Sequence, residues 1–231
     1  MKTIGLLGGM SWESTVTYYQ LINTFVKNKL GGLHSAKIIL FSVDFHDFEE
    51  RMSKGDWQGN GEALVDAARR LETAGADCIL ICTNTMHKLY EMVQHNVSIP
   101  VLHIGDVIAD ALRKDDLTTV GLLGTAYTME QDFLRGRLEE HGLTVHVPDA
   151  EERERINSII FDELCLGKIS EDSRQFYLEV IDSLARRGCE GIILGCTEIG
   201  LLICQDDTAV PLYDTTYIHA AKAALFSLSK K

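Results

Sequence analysis

The sequence predicts an α/β protein built on parallel sheets, and three observations carry that expectation. Apolar runs of strand length alternate along the chain with segments of helical period. Several runs, such as Ile79-Leu80-Ile81 and Ile192-Ile193-Leu194, are apolar at every position. Strands covered on both faces read this way, whereas one-sided burial gives alternation. The third observation is an internal echo. Ile4-Gly5-Leu6-Leu7-Gly8-Gly9 resembles Val120-Gly121-Leu122-Leu123-Gly124-Thr125, and Ile79-Leu80-Ile81-Cys82-Thr83 resembles Ile193-Leu194-Gly195-Cys196-Thr197. Two matched pairs at nearly equal offsets suggest two like-folded units related by a pseudo-twofold axis.

Taken in order, the expected strands are Thr3–Leu7, Ala36–Val43, Cys78–Ile81, Pro100–Ile104, Thr119–Leu123, Thr144–Val147, Gly191–Leu194 and Ala209–Tyr213. Between them, Leu64, Ala67, Ala68 and Leu71 keep the spacing of one helix face. Ile156, Ile159, Ile160 and Leu164 do the same, as do Tyr177, Val180, Ile181 and Leu184. The charged cluster from Asp149 to Arg155 reads as the solvated first turn of a helix. Only 3 prolines occur and no Pro/Ser-rich linker separates the halves, so two domains would be tightly coupled.

The chain has 231 residues, 45% of them hydrophobic and 24% charged, which is ample for a buried core. Its 22 basic and 34 acidic side chains leave a formal charge of -12. That balance argues against a nucleic-acid binder and against a polybasic membrane anchor. A local pocket on an acidic protein can still be positive enough for an anionic small molecule. The longest apolar stretch, Gly191 to Cys204, carries Glu198 and is too short to span a bilayer. The N-terminus runs into Trp12-Glu13 without a cleavage pattern, so a cytoplasmic location is expected. The 6 cysteines would then be mostly reduced thiols.

Cys82 and Cys196 each stand where a predicted strand gives way to a loop, where α/β proteins bind ligands. Each is followed by N-cap residue types, Thr83-Asn84-Thr85 and Thr197-Glu198. Helices starting there would aim free amides at a carboxylate and lower a thiol pKa. Two opposed thiols suit racemisation, since one thiolate can remove a proton from one face of a carbon while a thiol delivers another to the opposite face. Cys78, Cys165, Cys189 and Cys204 read as ordinary small hydrophobes. Glu198 is either a helix-start acid or a group that tunes the neighbouring thiol. His87 and His103 read as structural, and Met10 and Trp12 as packing residues. No CxxC, GxGxxG, Walker loop or Gly-x-Ser-x-Gly elbow occurs, so neither metal nor dinucleotide is expected.

Three segments together resemble a known family. Gly8-Gly9-Met10-Ser11-Trp12-Glu13-Ser14-Thr15, Cys82-Thr83-Asn84-Thr85-Met86-His87 and Gly195-Cys196-Thr197-Glu198-Ile199 are similar to signatures of the aspartate/glutamate racemases, and the likeness covers essentially the whole chain. It is closest to the bacterial broad-specificity and aspartate-type branch. The resemblance implies two similar Rossmann-like domains with the active site in the cleft between them. It also implies a C-terminal segment, about Val210 to Lys231, that returns to the first domain. The expected division is therefore 1–105 plus 210–231, and 106–209. A cofactor-independent homodimer is implied as well.

Carried onto matching positions, Cys82 and Cys196 become the acid/base thiols, serving the D- and L-enantiomer respectively. Thr83, Asn84, Thr85 and Thr197 become substrate binders, with Met10 and Thr125 joining through the glycine turns. Glutamate racemases usually carry Asp where this chain has Met10 and His where it has Glu198, departures that favour the aspartate-type branch. A side-chain carboxylate wants a cationic partner. Arg51 is the first candidate, by analogy with aspartate racemases, and Lys168 the second. If neither serves, a neutral amino acid such as homoserine or methionine is expected. The rival readings are a decarboxylase or isomerase of a small diacid, and a catalytically silent amino-acid or dicarboxylate binder.

Overall fold

The computed structural model describes residues 1–229. In chain order the elements are β1 (Thr3–Gly8), α1 (Trp12–Leu30), β2 (Lys37–Ser42), α2 (Phe45–Ser53), α3 (Trp57–Thr73), β3 (Cys78–Ile81), α4 (Tyr90–Gln94), α5 (Ile104–Lys114), β4 (Thr119–Leu123), α6 (Ala126–Glu130) and α7 (Asp132–Glu140). There follow β5 (Thr144–His146), α8 (Ala150–Asp162), α9 (Glu171–Arg186), β6 (Gly191–Leu194), α10 (Ile199–Leu202), β7 (Leu212–Asp214) and α11 (Thr215–Leu228). Short 3₁₀ turns lie at Thr85–Leu89, Leu164–Leu166 and Gln205–Asp207. No helix among the described residues is long and apolar enough to cross a membrane.

The chain forms two compact units, one of Met1–His103 plus the segment from His219, the other of Ile104–Ile218. The expected division at 106 and 210 is therefore corrected at its second crossing. The reason is a strand pairing: Ile192 pairs Leu212 and Leu194 pairs Asp214, which fixes β7 in the second unit's sheet. Only the segment beyond it returns. Lys230 and Lys231, the end of that expected segment, lie outside the described residues.

In the first unit, β2, β1 and β3 form a parallel sheet in that order. The run Pro100–Ile104 does not become a fourth strand. Val101 makes a single parallel bridge to Ile79, and Ile104 already opens α5. Alternation sorts the central strands onto two faces. Ile4, Leu6, Cys78 and Leu80 pack with Tyr18, Ile22 and Val26 of α1 and with Ala220, Ala223 and Ala224 of α11. Leu7, Ile79 and Ile81 pack with Leu64, Ala68 and Leu71 of α3. Ser11 caps α1 by accepting from the Ser14 amide. Gly31, at φ 75, ends it.

A buried polar cluster pins α11 into this unit. His219 is fully buried, and its Nε2–H donates to the Leu102 carbonyl at 2.8 Å. Its Nδ1 must then accept, and the Tyr18 hydroxyl donates to it at 2.9 Å. The His87 ring lies 5.7 Å from that of His219 and 5.0 Å from that of His103. Burial, then the neighbouring His87, holds the His219 pKa down to about 3.

In the second unit, β5, β4, β6 and β7 form a parallel sheet in that order. Val120, Leu122 and Ile193 face α5 and α7, packing with Ile108, Leu112, Leu134 and Leu138. Leu123, Ile192 and Leu194 face α8 and α9, packing with Ile156, Ile160, Tyr177, Ile181 and Leu184. Asp149 and Glu152 close a capping box over the start of α8, so the charged cluster is a helix start as its composition predicts.

Two predictions follow from these constraints. Gly9 has φ +94, and a Cβ there would run into the backbone of Val43, whereas one at Gly31 meets nothing within 4 Å. Gly9→Ala is expected to cost at least about 2 kcal/mol, and more than Gly31→Ala, in urea unfolding. For His219, the folded pKa lies below the ordinary 6.5, so the unfolded chain binds the extra proton. The stability it contributes is present above pH 6.5 and declines as pH falls toward 3. Between those limits wild type should lose about 1.4 kcal/mol per pH unit more than His219→Gln, measured by urea midpoints. Equal slopes would refute the assignment.

Candidate active site

The carboxyl end of β1 is built to let backbone approach backbone. A Cβ on Gly8 would collide with the side chain of Thr15. The Gly9 amide donates to Thr15 Oγ1 at 2.8 Å, and the Thr15 hydroxyl donates to the Ser11 carbonyl at 2.8 Å. Ser14, in the first turn of α1, donates its hydroxyl to the Cys82 carbonyl at 3.1 Å. The glycine turn, the start of α1 and Cys82 thus form one bonded network.

Cys82 continues the sheet: its amide donates to the Leu7 carbonyl at 2.9 Å. Its side chain falls on the same face as Cys78 and Leu80, among the residues packed by α1 and α11, and is fully buried. The thiol points at the Leu80 carbonyl, 3.8 Å away. Burial pushes its pKa far above the ordinary range. Thr83 follows, partly buried, and its carbonyl accepts from His87 Nδ1 at 2.9 Å. Asn84 is buried, and Thr85 opens the 3₁₀ turn. Met10 is buried in the α3-side core, so its side chain is a packing group.

The corresponding end of the second sheet differs by one residue. Here Gly195, not the cysteine, donates the last ladder bond, to the Leu123 carbonyl at 2.6 Å. Cys196 stands one position farther out and packs against the α8/α9 core, on the face that Leu7 and Ile81 occupy in the first unit. A one-residue displacement along a strand reverses the face. Cys82 and Cys196 therefore echo one another in sequence but are not equivalent in their sheets.

Cys196 is partly exposed, and its thiol donates to Glu198 Oε2 at 3.0 Å. The Thr197 hydroxyl donates to the same oxygen at 2.6 Å. Burial raises the Cys196 pKa well above the usual range, and the Glu198 carboxylate raises it further. Thr125 caps α6, accepting from the Thr128 amide at 3.4 Å. Gly124 and Gly195 both crowd Thr128, where an added Cβ would approach its side chain to 3.0 Å.

Two expectations are corrected. No extended helix starts at either thiol: Thr83-Asn84-Thr85 lead into a 3₁₀ turn of 5 residues, and Thr197-Glu198 into the 4-residue α10. Neither has a side-chain cap. Without a substantial helix dipole, burial dominates and both thiol pKa values rise rather than fall. Arg51 lies on α2, half-buried, its guanidinium 5.8 Å from the Phe48 ring centre, and Lys168 is exposed beyond the 3₁₀ turn at Leu164–Leu166. Sequence reasoning used Tyr177 only as a core position of α9. Its hydroxyl, on an otherwise apolar stripe, is buried without a hydrogen-bond partner among the described residues. Among the described residues, no group of three or more His, Cys, Asp and Glu side chains is placed to hold a metal ion.

Residues 7–223 match the family model described as Asp/Glu/Hydantoin racemase. The chain is 22% identical over 216 residues to the broad specificity amino-acid racemase RacX of Bacillus subtilis (strain 168), covering 92% of each. A Yersinia pestis crystal structure, assigned provisionally as an Asp/Glu racemase, superposes with TM-score 0.96 at 54% identity, over 99% of this chain and 100% of that one. The crystal structure of an aspartate racemase homologue from Pyrococcus horikoshii OT3 superposes with TM-score 0.91 at 36% identity, again over 99% and 100%. With its two parallel sheets and a family match across nearly its whole length, the chain belongs to the Asp/Glu/hydantoin racemase family.

Proposed function

We propose that this protein is an amino-acid racemase that inverts the α-carbon by a two-base mechanism, with Cys82 and Cys196 as the exchanging groups and no pyridoxal phosphate. The observation that carries the reading is the Cys-Thr step at the end of the central ladder of each sheet. Cys82 itself makes the last bond, to Leu7, and Cys196 directly follows Gly195, which makes the bond to Leu123. In the forward direction one thiolate takes the α-proton, leaving a carbanion, and the other thiol returns a proton to the opposite face. The enzyme is left with its protonation reversed, ready for the other enantiomer.

The two thiols solve the same problem differently. Cys196 holds a carboxylate 3.0 Å from its sulfur. Glu198 can receive the thiol proton as the thiolate forms, while Thr197 keeps the acceptor oxygen in place. The Cys82 thiol has the Leu80 carbonyl as its acceptor and no carboxylate bonded to it among the described residues, so in this reading it takes its proton directly from substrate. The donors for the substrate carboxylate are Thr83, Asn84 and Thr85 in one unit and Thr125 and Thr197 in the other, with backbone beside Met10. Arg51 and Lys168 are the candidates for a second carboxylate.

Exchange in deuterated water, followed by NMR over a panel of L- and D-amino acids, tests the reading. Inversion with α-deuteration is the expected result. Consumption of substrate would mark a decarboxylase, and ligand shifts without exchange a binding protein. Cys82→Ser and Cys196→Ser should each reduce inversion by at least about 100-fold. Full inversion in either variant refutes the two-base assignment.

A second prediction concerns Glu198. Its negative charge opposes thiolate formation at Cys196, so Glu198→Gln should shift the pH profile of Cys196 alkylation to lower pH. The same variant lacks the proton acceptor, so inversion should fall roughly 10- to 100-fold. Unchanged inversion together with an unchanged alkylation profile would remove Glu198 from the mechanism.

A further inference from the structure

Tyr177 is the one fully buried phenol whose hydroxyl has no hydrogen-bond partner among the described residues. Such a group is costly unless something uses it, because a buried donor left unpaired forfeits its hydration. Its surroundings show what could. Tyr177 lies on α9 one turn after Ser173, so the two side chains share a helix face. Ser173 is also buried and donates to Glu163 Oε2 at 2.6 Å. Glu163 ends α8 and leads into the 3₁₀ turn Leu164–Leu166, which packs against α10. Cys196 packs against the same core that contains Tyr177. Burial raises the Tyr177 pKa, and charge on Cys196 or Glu163 raises it further.

The bonding of Cys196 leaves a vacancy of a particular kind. As a thiol it is a donor, and its proton goes to Glu198. As a thiolate it becomes an acceptor, and once the proton received by Glu198 has passed on, that carboxylate is an acceptor too and no longer satisfies the sulfur. Glu163 is already engaged by Ser173, while the Tyr177 hydroxyl has a donor to give. A neutral phenol donating from an apolar core favours a forming anion more than it would in bulk solvent.

We propose that Tyr177 is a positioning residue that donates its hydroxyl hydrogen to the Cys196 thiolate, engaging only when the sulfur is ionised. The inference deepens the racemase reading, but its first test does not depend on it. Tyr177→Phe removes one oxygen and fills the same volume, so the fold should be kept. Because the deleted hydroxyl is unpaired in the resting state, the urea midpoint should be unchanged or higher.

The decisive measurement is the pH profile of iodoacetamide alkylation on the full chain, resolved by peptide mass spectrometry, with exposed Cys204 as internal reference. In Tyr177→Phe the Cys196 midpoint should move up by about one pH unit, a roughly tenfold loss of reactivity below it, while Cys204 stays fixed. Ultraviolet thiolate absorbance, taken as the difference from Cys196→Ser, should move with it. An unchanged Cys196 profile by both methods overturns the proposal, whether or not the protein racemises anything. If inversion is observed, kcat should fall about tenfold with KM retained. A rise in KM at constant kcat would instead make Tyr177 a substrate contact and overturn the thiolate assignment. An upward shift in the profile without any racemase activity would uphold Tyr177 and count against the racemase reading alone.

Discussion

Where the hydrogen-bond ladder stops in each parallel sheet decides almost everything at the candidate site. In the first unit the last donor to the central strand is Cys82 itself; in the second it is Gly195. Side chains alternate from face to face along a strand. A difference of one residue therefore sends one sulfur into the core under α1 and α11 and the other toward α8 and α9. The glycines make this possible. Gly8 and Gly9 let α1 begin hard against the sheet, and Gly124 and Gly195 let Thr128 fill the matching space in the other unit.

Burial sets the chemical character of both thiols. Each is harder to ionise than a free cysteine, one through its apolar surroundings and the other through those plus an adjacent carboxylate. A base that resists deprotonation is a strong base once it has lost its proton, which suits the removal of a weakly acidic hydrogen from an α-carbon. The same packing rules operate away from the sulfurs. His219 is held neutral by its burial and by the neighbouring His87, and its two hydrogen bonds tie α11 to both α1 and the Leu102 segment.

The parts of this architecture visible in sequence were those with a strong period. All-apolar runs such as Ile192-Ile193-Leu194 are buried central strands, and the stripes of α3, α8 and α9 are core faces. Pro100–Ile104 misled because composition cannot show where a strand yields to a helix. Ile104 is apolar either way, but here it opens α5. The return of the C-terminal segment was legible, although its crossing point was not, since the pairing of β7 with β6 is a tertiary fact. At the site, the cysteine motifs marked the loops. Their spacing did not reveal that the following helices are too short to matter electrostatically, nor that the echoed cysteines take opposite faces. The Tyr177 hydroxyl was hidden by its own periodicity.

The offset between the two cysteines has an evolutionary corollary. If the halves descend from one ancestral unit, their thiols do not descend from one ancestral position, for Cys82 corresponds in its sheet to Gly195 and Cys196 to Thr83. A duplicated half reunited with its unaltered twin would present both sulfurs on like faces. The asymmetry that gives one molecule two dissimilarly placed thiols must then have arisen by an indel or a point replacement at a strand end, after the halves had begun to diverge.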